Sequence, residues 1–506
     1  VIIEASELIR EIENDRSSMM ATISPPRTEW TDKLYSGGWR HGTAGVHEVI
    51  EPATGEVLAS VGMADQSDVS GAAQAASAAQ SAWANMPVRA RAEIFRKAAA
   101  VFEREAGEMV LFIARETGSL LMKARHEVQQ AIDILYCAAG MPLQPNGHIL
   151  PQMSGRFNFA QRVPLGVVGV ISPFNFPLIL SIRSVAPALA AGNSVILKPD
   201  PQTPITGGFF IAKAFEEAGL PRNVLHVLPG RADVGEAMCT ESDIAMIAFT
   251  GSTAAGRKVG ELCGRHLKKV ALELGGKNPL IVLDDADVDI AVSNAAWGCY
   301  LHQGQICMAT GLILVHESIV AQFTSQLTEK AKHLRVGNPA MEEVALGPVI
   351  SAKQRDRIHQ IVHESVSQGA NLLTGGNYRD LFYQPTVLGG VRPGMRAFEE
   401  EIFGPVAAVV SFGSDDEAAE LANRSEYGLS AGLISGDGGR ALALGQRLKT
   451  GLLHINDQTV ADDVVNPFGG RGASGNGTSM GGPADWEEYT QWQWITLKSS
   501  ATPYPM

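Results

Sequence analysis

A cysteine in the run Gly304-Gln305-Ile306-Cys307-Met308-Ala309, and a carboxylate upstream in Leu272-Glu273-Leu274-Gly275-Gly276-Lys277, are the side chains best suited to covalent chemistry. A thiolate is a nucleophile, and a separately held glutamate can activate the water that releases the intermediate it forms. Together they point to two-stage chemistry. Singly each means little: a lone cysteine is usually buried and inert, and a lone glutamate is usually a solvated surface charge. Cys137, Cys239, Cys263 and Cys299 are read in that inert sense. Glu273 differs because it ends the run Val270-Ala271-Leu272 and precedes two glycines, where partial burial raises a carboxyl toward the pKa of a useful base.

Periodicity indicates the elements that position these residues. Residues 65–141 have helical spacing, in segments at 69–83, 89–117 and 123–139. Beyond residue 163, β-branched runs at 167–171, 195–197, 224–228 and 245–249 alternate with helices reaching 191 and at 204–218, 233–238 and 252–263. Such alternation predicts an α/β fold with a parallel sheet covered by helices, in which ligands lie at the carboxyl ends of strands. A second alternating block spans 276–451, with strands near 280–283, 312–315, 407–412 and 433–435 and a helix at 287–300 shortly before Cys307. No flexible Pro/Ser linker separates the blocks, so they should pack closely. Residues 491–497 alternate as a final strand, and no internal repeat stands out.

Composition sets broader bounds. With 506 residues and 45% hydrophobic content the chain can bury a large core, divided among about two to four domains. The longest apolar run, 167–182, is broken by Pro173 and Pro177 and falls short of the ~20 residues of a membrane span, which predicts a soluble protein. Five cysteines without a C-x-x-C spacing argue against a disulfide framework or a metal site and favour a reducing, cytoplasmic setting. A net charge of −13 without long acidic blocks argues against a nucleic-acid surface and does not identify a substrate. Residues 1–18 read as a charged, helix-capable extension unlike a secretory signal, with Met19 or Met20 an expected translation start.

Five runs occur in one order: Ser172-Pro173-Phe174-Asn175-Phe176-Pro177, Leu197-Lys198-Pro199, Phe249-Thr250-Gly251-Ser252-Thr253-Ala254-Ala255-Gly256, the glutamate and cysteine runs together, and Glu401-Ile402-Phe403-Gly404-Pro405-Val406. Over residues 37–498 the chain resembles the NAD(P)-dependent aldehyde dehydrogenase superfamily. With Leu301-His302-Gln303 and Asp200-Pro201-Gln202-Thr203, it is most similar to the benzaldehyde and vanillin dehydrogenase branch. The resemblance implies a Rossmann-like cofactor domain (35–144 and 164–275), an α/β catalytic domain (276–476), and a small β oligomerisation arm (145–163 and 477–506) that makes a homodimer or homotetramer. Residues 1–34 would precede these as an N-terminal extension.

It also implies roles. The Cys307 thiolate attacks an aldehyde, and the Asn175 amide with the backbone N–H of Cys307 holds the oxyanion. After oxidation, Glu273 deprotonates the water that hydrolyses the thioester. Members that pass the acyl group to coenzyme A typically lack this glutamate, so a free acid is the expected product. For the NAD cofactor, Gly251 and Ser252 open a helix suited to a pyrophosphate, Gly256 permits close packing, and Ile171 and Lys198 end their strands. Lys198 would bind the adenosine ribose, Glu401 the nicotinamide ribose, and Phe403 the nicotinamide. The G-x-G-x-x-G at 470–475 leads into glycines and a proline rather than a helix and is a decoy. Phe176, Ile179, Leu180, Arg183, Leu301, Ile306 and Met308, joined by 459–465, would line the substrate channel, mostly apolar and suited to a flat ring or short chain. Arg183 is the polar exception, open at this point to a ring hydroxyl, a carboxylate or a structural carbonyl.

Three positions depart from the family pattern. Phe174 replaces a usual tryptophan. Pro201 stands where many NAD-preferring members have a glutamate, which leaves NADP open. Thr478-Ser479 replaces the usual Arg-Glu, so an outer glutamate for proton relay is missing. An aliphatic aldehyde or semialdehyde dehydrogenase, and a non-catalytic protein of the same fold, are the alternatives to aromatic aldehyde oxidation.

Overall fold

The structure is a computed structural model that describes residues 29–505, so the expectations for residues 1–28 lie outside it. Strands Val167–Ile171 and Ser194–Lys198 are buried at every position. That is why they read as unbroken apolar runs: both faces of the sheet are covered. They sit at the centre of a seven-stranded sheet with Ile244–Thr250 and Lys269–Glu273 on one side and Leu225–Val227 on the other, all parallel. Lys33–Ser36 and Trp39–His41 add antiparallel strands at the far edge.

A second seven-stranded sheet is ordered Asn371–Thr374, Thr386–Gly389, Val406–Phe412, Thr310–His316, Asn278–Val282, Ser430–Ile434, Leu452–Ile455. Only its first pair is antiparallel. The α/β class expected from the sequence is thus observed. In the first sheet the chemistry-bearing residues stand at carboxyl ends: Ile171, Lys198 and Glu273 each terminate a strand.

Three helices, Gln66–Ala84, Val88–Thr117 and Leu121–Gly140, precede the central strands. The second ends at Gly118, whose φ of 70° is left-handed and where a Cβ would come within 2.7 Å of Pro348. Glycine is therefore required at that turn. Helix Pro177–Ala190 follows the central strand and is buried almost throughout. The helix expected at 204–218 differs in its first turns, which are π-helical at Ile205–Phe209 before α-helix Phe210–Glu217. There the Glu116 carboxylate accepts the N–H groups of Ile205 and Thr206, both at 3.0 Å, and anchors the entry. The Gly470–Gly475 run forms only a two-residue strand at Arg471–Gly472, in keeping with its reading as a decoy.

Strand Thr490–Leu497 pairs antiparallel with Phe157–Pro164, which pairs with Gly147–Ile149. This small sheet exposes Ile149, Phe157, Trp492, Trp494 and Leu497. Among the described residues, no helix is long and apolar enough to cross a membrane, and no group of three or more His, Cys, Asp or Glu side chains is arranged to hold a metal ion.

Candidate active site

The cysteine turn is clamped on several sides. Helix Val288–Tyr300 ends in a tight turn, Leu301–Gly304, in which His302 and Gln303 take left-handed φ values of 48° and 56°. Strain of this kind persists only where surroundings enforce it. Here Gln303 Nε2 donates to Gly118 O at 2.9 Å and Pro348 O at 2.7 Å, and Gln305 Oε1 accepts from Ile350 N at 3.0 Å. Asn278 Nδ2 then donates to Cys307 O and Ala309 O, each at 2.8 Å. Cys307 is partly accessible, whereas Cys239, Cys263 and Cys299 are buried and Cys137 is exposed.

Asn175 reaches this turn from the first sheet. Its side chain is buried, and Nδ2 donates to Gln305 O at 2.9 Å, so amide and thiol turn adjoin. Phe174, in place of tryptophan, meets Phe403 edge-on with ring centroids 6.0 Å apart.

Glu273 is buried, and neither carboxylate oxygen has a hydrogen-bond partner. Burial pushes its pKa well above the usual carboxylate range, with Arg183 opposing and Glu488 and Asp462 adding to the rise. The Cys307 thiol is pushed up to about 12, first by burial and then by Glu401 and Glu273. The glycines after Glu273 have steric reasons: a Cβ on Gly275 would collide with the Glu401 carboxylate, and one on Gly276 would lie 2.6 Å from Cys307 O.

The residues expected at a cofactor are placed as follows. A Cβ on Gly235 would lie 3.6 Å from Ile171 Cδ1 and 3.8 Å from Lys198 Cδ, so these two side chains flank one small-residue spot. Lys198 is buried, yet among the described residues its ammonium has one hydrogen bond, to Pro199 O at 3.4 Å. Burial lowers its pKa, with Asp200 and Asp233 opposing. Ser252 caps helix Thr253–Arg265, its hydroxyl accepting from Ala255 N at 3.3 Å. Gly251 N–H is already donated to Glu273 O at 3.0 Å, which removes it from the amides expected to meet a pyrophosphate. Gly256 packs directly against Leu274, the close approach its spacing suggested. Glu401 accepts from Gly276 N at 3.1 Å and is raised to about 7 by burial. Phe403 has φ 55°, and its carbonyl accepts from Gln354 Nε2 at 2.8 Å.

Cys307 and Asn175 open onto a cavity of about 360 Å³ lined by Phe176, Ile179, Leu180, Arg183, Leu301, Ile306 and Met308. From the expected 459–465 segment only Val460, Ala461 and Asp462 line it, because Thr459 is turned away and donates to Met308 O at 2.7 Å. The polar partner of Arg183, left open by the sequence, is Asp462: the two form a two-pronged ion pair, and the guanidinium stacks 4.8 Å over Phe468. Sequence reasoning missed Met122, Lys123, His126 and Gln130 of helix Leu121–Gly140, together with Trp297 and Phe468. Helical periodicity in that segment was legible, but nothing local tells which face meets a pocket closed by distant segments.

The profile described as "Aldehyde dehydrogenase family" matches residues 39–495. The chain is 52% identical over 478 residues to a vanillin dehydrogenase of Amycolatopsis sp., covering 94% of this chain and 98% of that protein. It is 51% identical over 481 residues to a benzaldehyde dehydrogenase [NAD(+)] of Pseudomonas putida, again covering 94% and 98%. Among solved structures, a salicylaldehyde dehydrogenase from Pseudomonas putida G7 complexed with salicylaldehyde superposes with a TM-score of 0.90 at 33% identity, covering 94% of this chain and 99% of that one. Profile, relatives and superposition agree over nearly the whole chain: it belongs to the aldehyde dehydrogenase family.

Proposed function

We propose that this protein oxidises an uncharged aromatic aldehyde to its carboxylic acid with NAD. One observation carries the reading: Cys307, with the Asn175 amide beside its turn, opens onto a largely apolar cavity whose lysine and arginine are each paired with a carboxylate. Lys123 is paired with Glu127 and Arg183 with Asp462. A distal carboxylate thus finds neither the ammonium of Lys123 nor the guanidinium of Arg183 free, which disfavours semialdehydes. Vanillin and benzaldehyde dehydrogenases of about half-identical sequence support the substrate class, and the cofactor in the name of the second supports NAD.

In this mechanism the partly accessible Cys307 thiol releases its proton to solvent as its sulfur adds to the aldehyde carbon, and the amide of Asn175 stabilises the oxyanion of the thiohemiacetal. NAD, when bound, accepts the hydride that leaves as the thioester forms. Glu273 takes a proton from water, which attacks the thioester carbon and releases the acid and the free thiol. Lys198 fits a ribose diol, since its buried ammonium has one long hydrogen bond and two small-residue neighbours, Gly235 and Pro199. Ile171, Gly251, Ser252 and Gly256 shape the rest of that site. Glu401 would meet the second ribose and Phe403 the nicotinamide. Pro201 leaves no acid in the segment after Lys198 to repel a 2′-phosphate beyond Asp200, so NADP is the competing cofactor.

Initial rates of NADH and NADPH formation with benzaldehyde, vanillin, acetaldehyde and succinic semialdehyde test the substrate class. The two aromatic aldehydes are expected to give the highest kcat/KM; a preference for acetaldehyde or the semialdehyde contradicts the reading. Asp462→Asn is expected to free Arg183 and raise kcat/KM for succinic semialdehyde by about 10–100-fold, the worth of a charge-assisted hydrogen bond. No gain in initial rate means that Arg183 does not face the ring end of the substrate.

The domain division follows the two sheets, with the exposed arm as the assembly surface of a homodimer or homotetramer working in the cytoplasm. Ile149→Asp combined with Leu497→Asp places two charges on this apolar face. Light scattering is expected to show a monomer; an unchanged assembly removes the arm from that role.

A further inference from the structure

Beneath the Asn175 turn lies a pair of charges that none of the motifs includes. Lys123 and Glu127 stand one turn apart on helix Leu121–Gly140, and their side chains are 2% and 0% exposed. Lys123 Nζ donates to Glu127 Oε2 at 2.5 Å and to the backbone carbonyl of Asn175 at 2.8 Å. The same ammonium sits 4.0 Å over the ring of Phe176. Glu127 Oε1 accepts the N–H of Leu178 at 2.8 Å and of Ile179 at 3.3 Å.

Those two N–H groups belong to the open first turn of helix Pro177–Ala190. Its N-cap residue, Phe176, offers no side-chain oxygen, and Pro177 has no N–H. Glu127 therefore supplies from another helix the cap that the local sequence lacks, at the end where the helix dipole favours an anion. Residues 175–179 are held at a carbonyl, a ring and two amides. From this fixed segment, the Asn175 side chain reaches the cysteine turn through Gln305 O.

A buried ion pair is a poor device for stability alone, because the desolvation of both charges offsets their attraction and apolar residues of similar volume often do as well. Its value lies in fixing one geometry. We propose that Lys123 and Glu127 are the positioning pair of the oxyanion donor, fixing the Asn175 amide toward the Cys307 carbonyl adduct during acylation. This rests on the reading of Asn175 as that donor.

The test compares Lys123→Met, Asn175→Ala and the double variant by the single-turnover rate of NADH formation at saturating NAD and benzaldehyde, alongside KM and NAD affinity. Asn175→Ala is expected to slow acylation by about 10²–10³-fold, as loss of an oxyanion donor does. Lys123→Met is expected to slow it by about 10²-fold through misplacement, with KM and NAD affinity near those of the parent protein. The double variant should be no slower than Asn175→Ala, since the pair acts only through that residue. Lys123→Arg, which keeps the charge and the donors, should recover part of the rate. Multiplicative slowing in the double variant, or acylation at the parental rate in Lys123→Met, overturns the proposal. An unimpaired Asn175→Ala instead overturns the donor reading. If Lys123→Met does not fold, the near-isosteric Glu127→Gln replaces it in the same cycle, with the same expected non-additivity and the same contradicting result.

Discussion

Cys307→Ala is expected to lower kcat for benzaldehyde oxidation by at least about 10⁴-fold while leaving folding and NAD binding intact. The size follows from the loss of the covalent route: without the sulfur no thiohemiacetal forms, and the Asn175 amide has no oxyanion to stabilise. Folding should survive because the turn is held by Gln303, Gln305 and Asn278 and not by the thiol. The other four cysteines supply no substitute, since three are buried and the exposed Cys137 is absent from the cavity lining. Circular dichroism and NAD titration beside initial rates would separate the two effects. Residual activity within tenfold of the parent would remove Cys307 from the mechanism.

Glu273→Gln is expected to act at the second stage. Hydrolysis of the thioester should slow by about 10²–10⁴-fold, the usual contribution of a general base, while the first turnover still produces NADH. A stopped-flow trace should show a burst near one equivalent followed by a nearly flat steady state. The pH dependence has a definite sign. Burial raises the Glu273 pKa, and the base acts only when ionised, so parental kcat should climb with pH through that raised value. Glutamine should remove this limb of the kcat profile. A variant that loses the burst and the steady state equally would assign Glu273 to acylation instead.

Much of this architecture was legible because it is written locally. The runs 167–171 and 195–197 are apolar at successive positions because both sheet faces are covered, and the observed strands include them. Gly256 could be read as a packing glycine, and Leu274 does lie against it. The positions that resisted reading depend on partners far along the chain. The partner of Arg183 stayed open between a ring hydroxyl, a carboxylate and a carbonyl because Asp462 is 279 residues away. Lys123 and Glu127 sit one turn apart and resemble an ordinary surface i,i+4 pair, and only the fold shows that they are buried against residues 175–179. Nor does the helix opening at Gly251-Ser252 show that the Gly251 N–H is taken by Glu273 O of the neighbouring parallel strand.

The account depends most directly on an acyl group carried by Cys307. Glu273→Gln protein should be mixed with NAD and benzaldehyde, acid-quenched after one turnover, and analysed by intact mass and peptide mapping. A benzoyl adduct on the peptide containing Cys307, formed in step with the NADH burst and absent without NAD, is the predicted result. NADH formation with no adduct on Cys307, or an adduct on another residue, would contradict it.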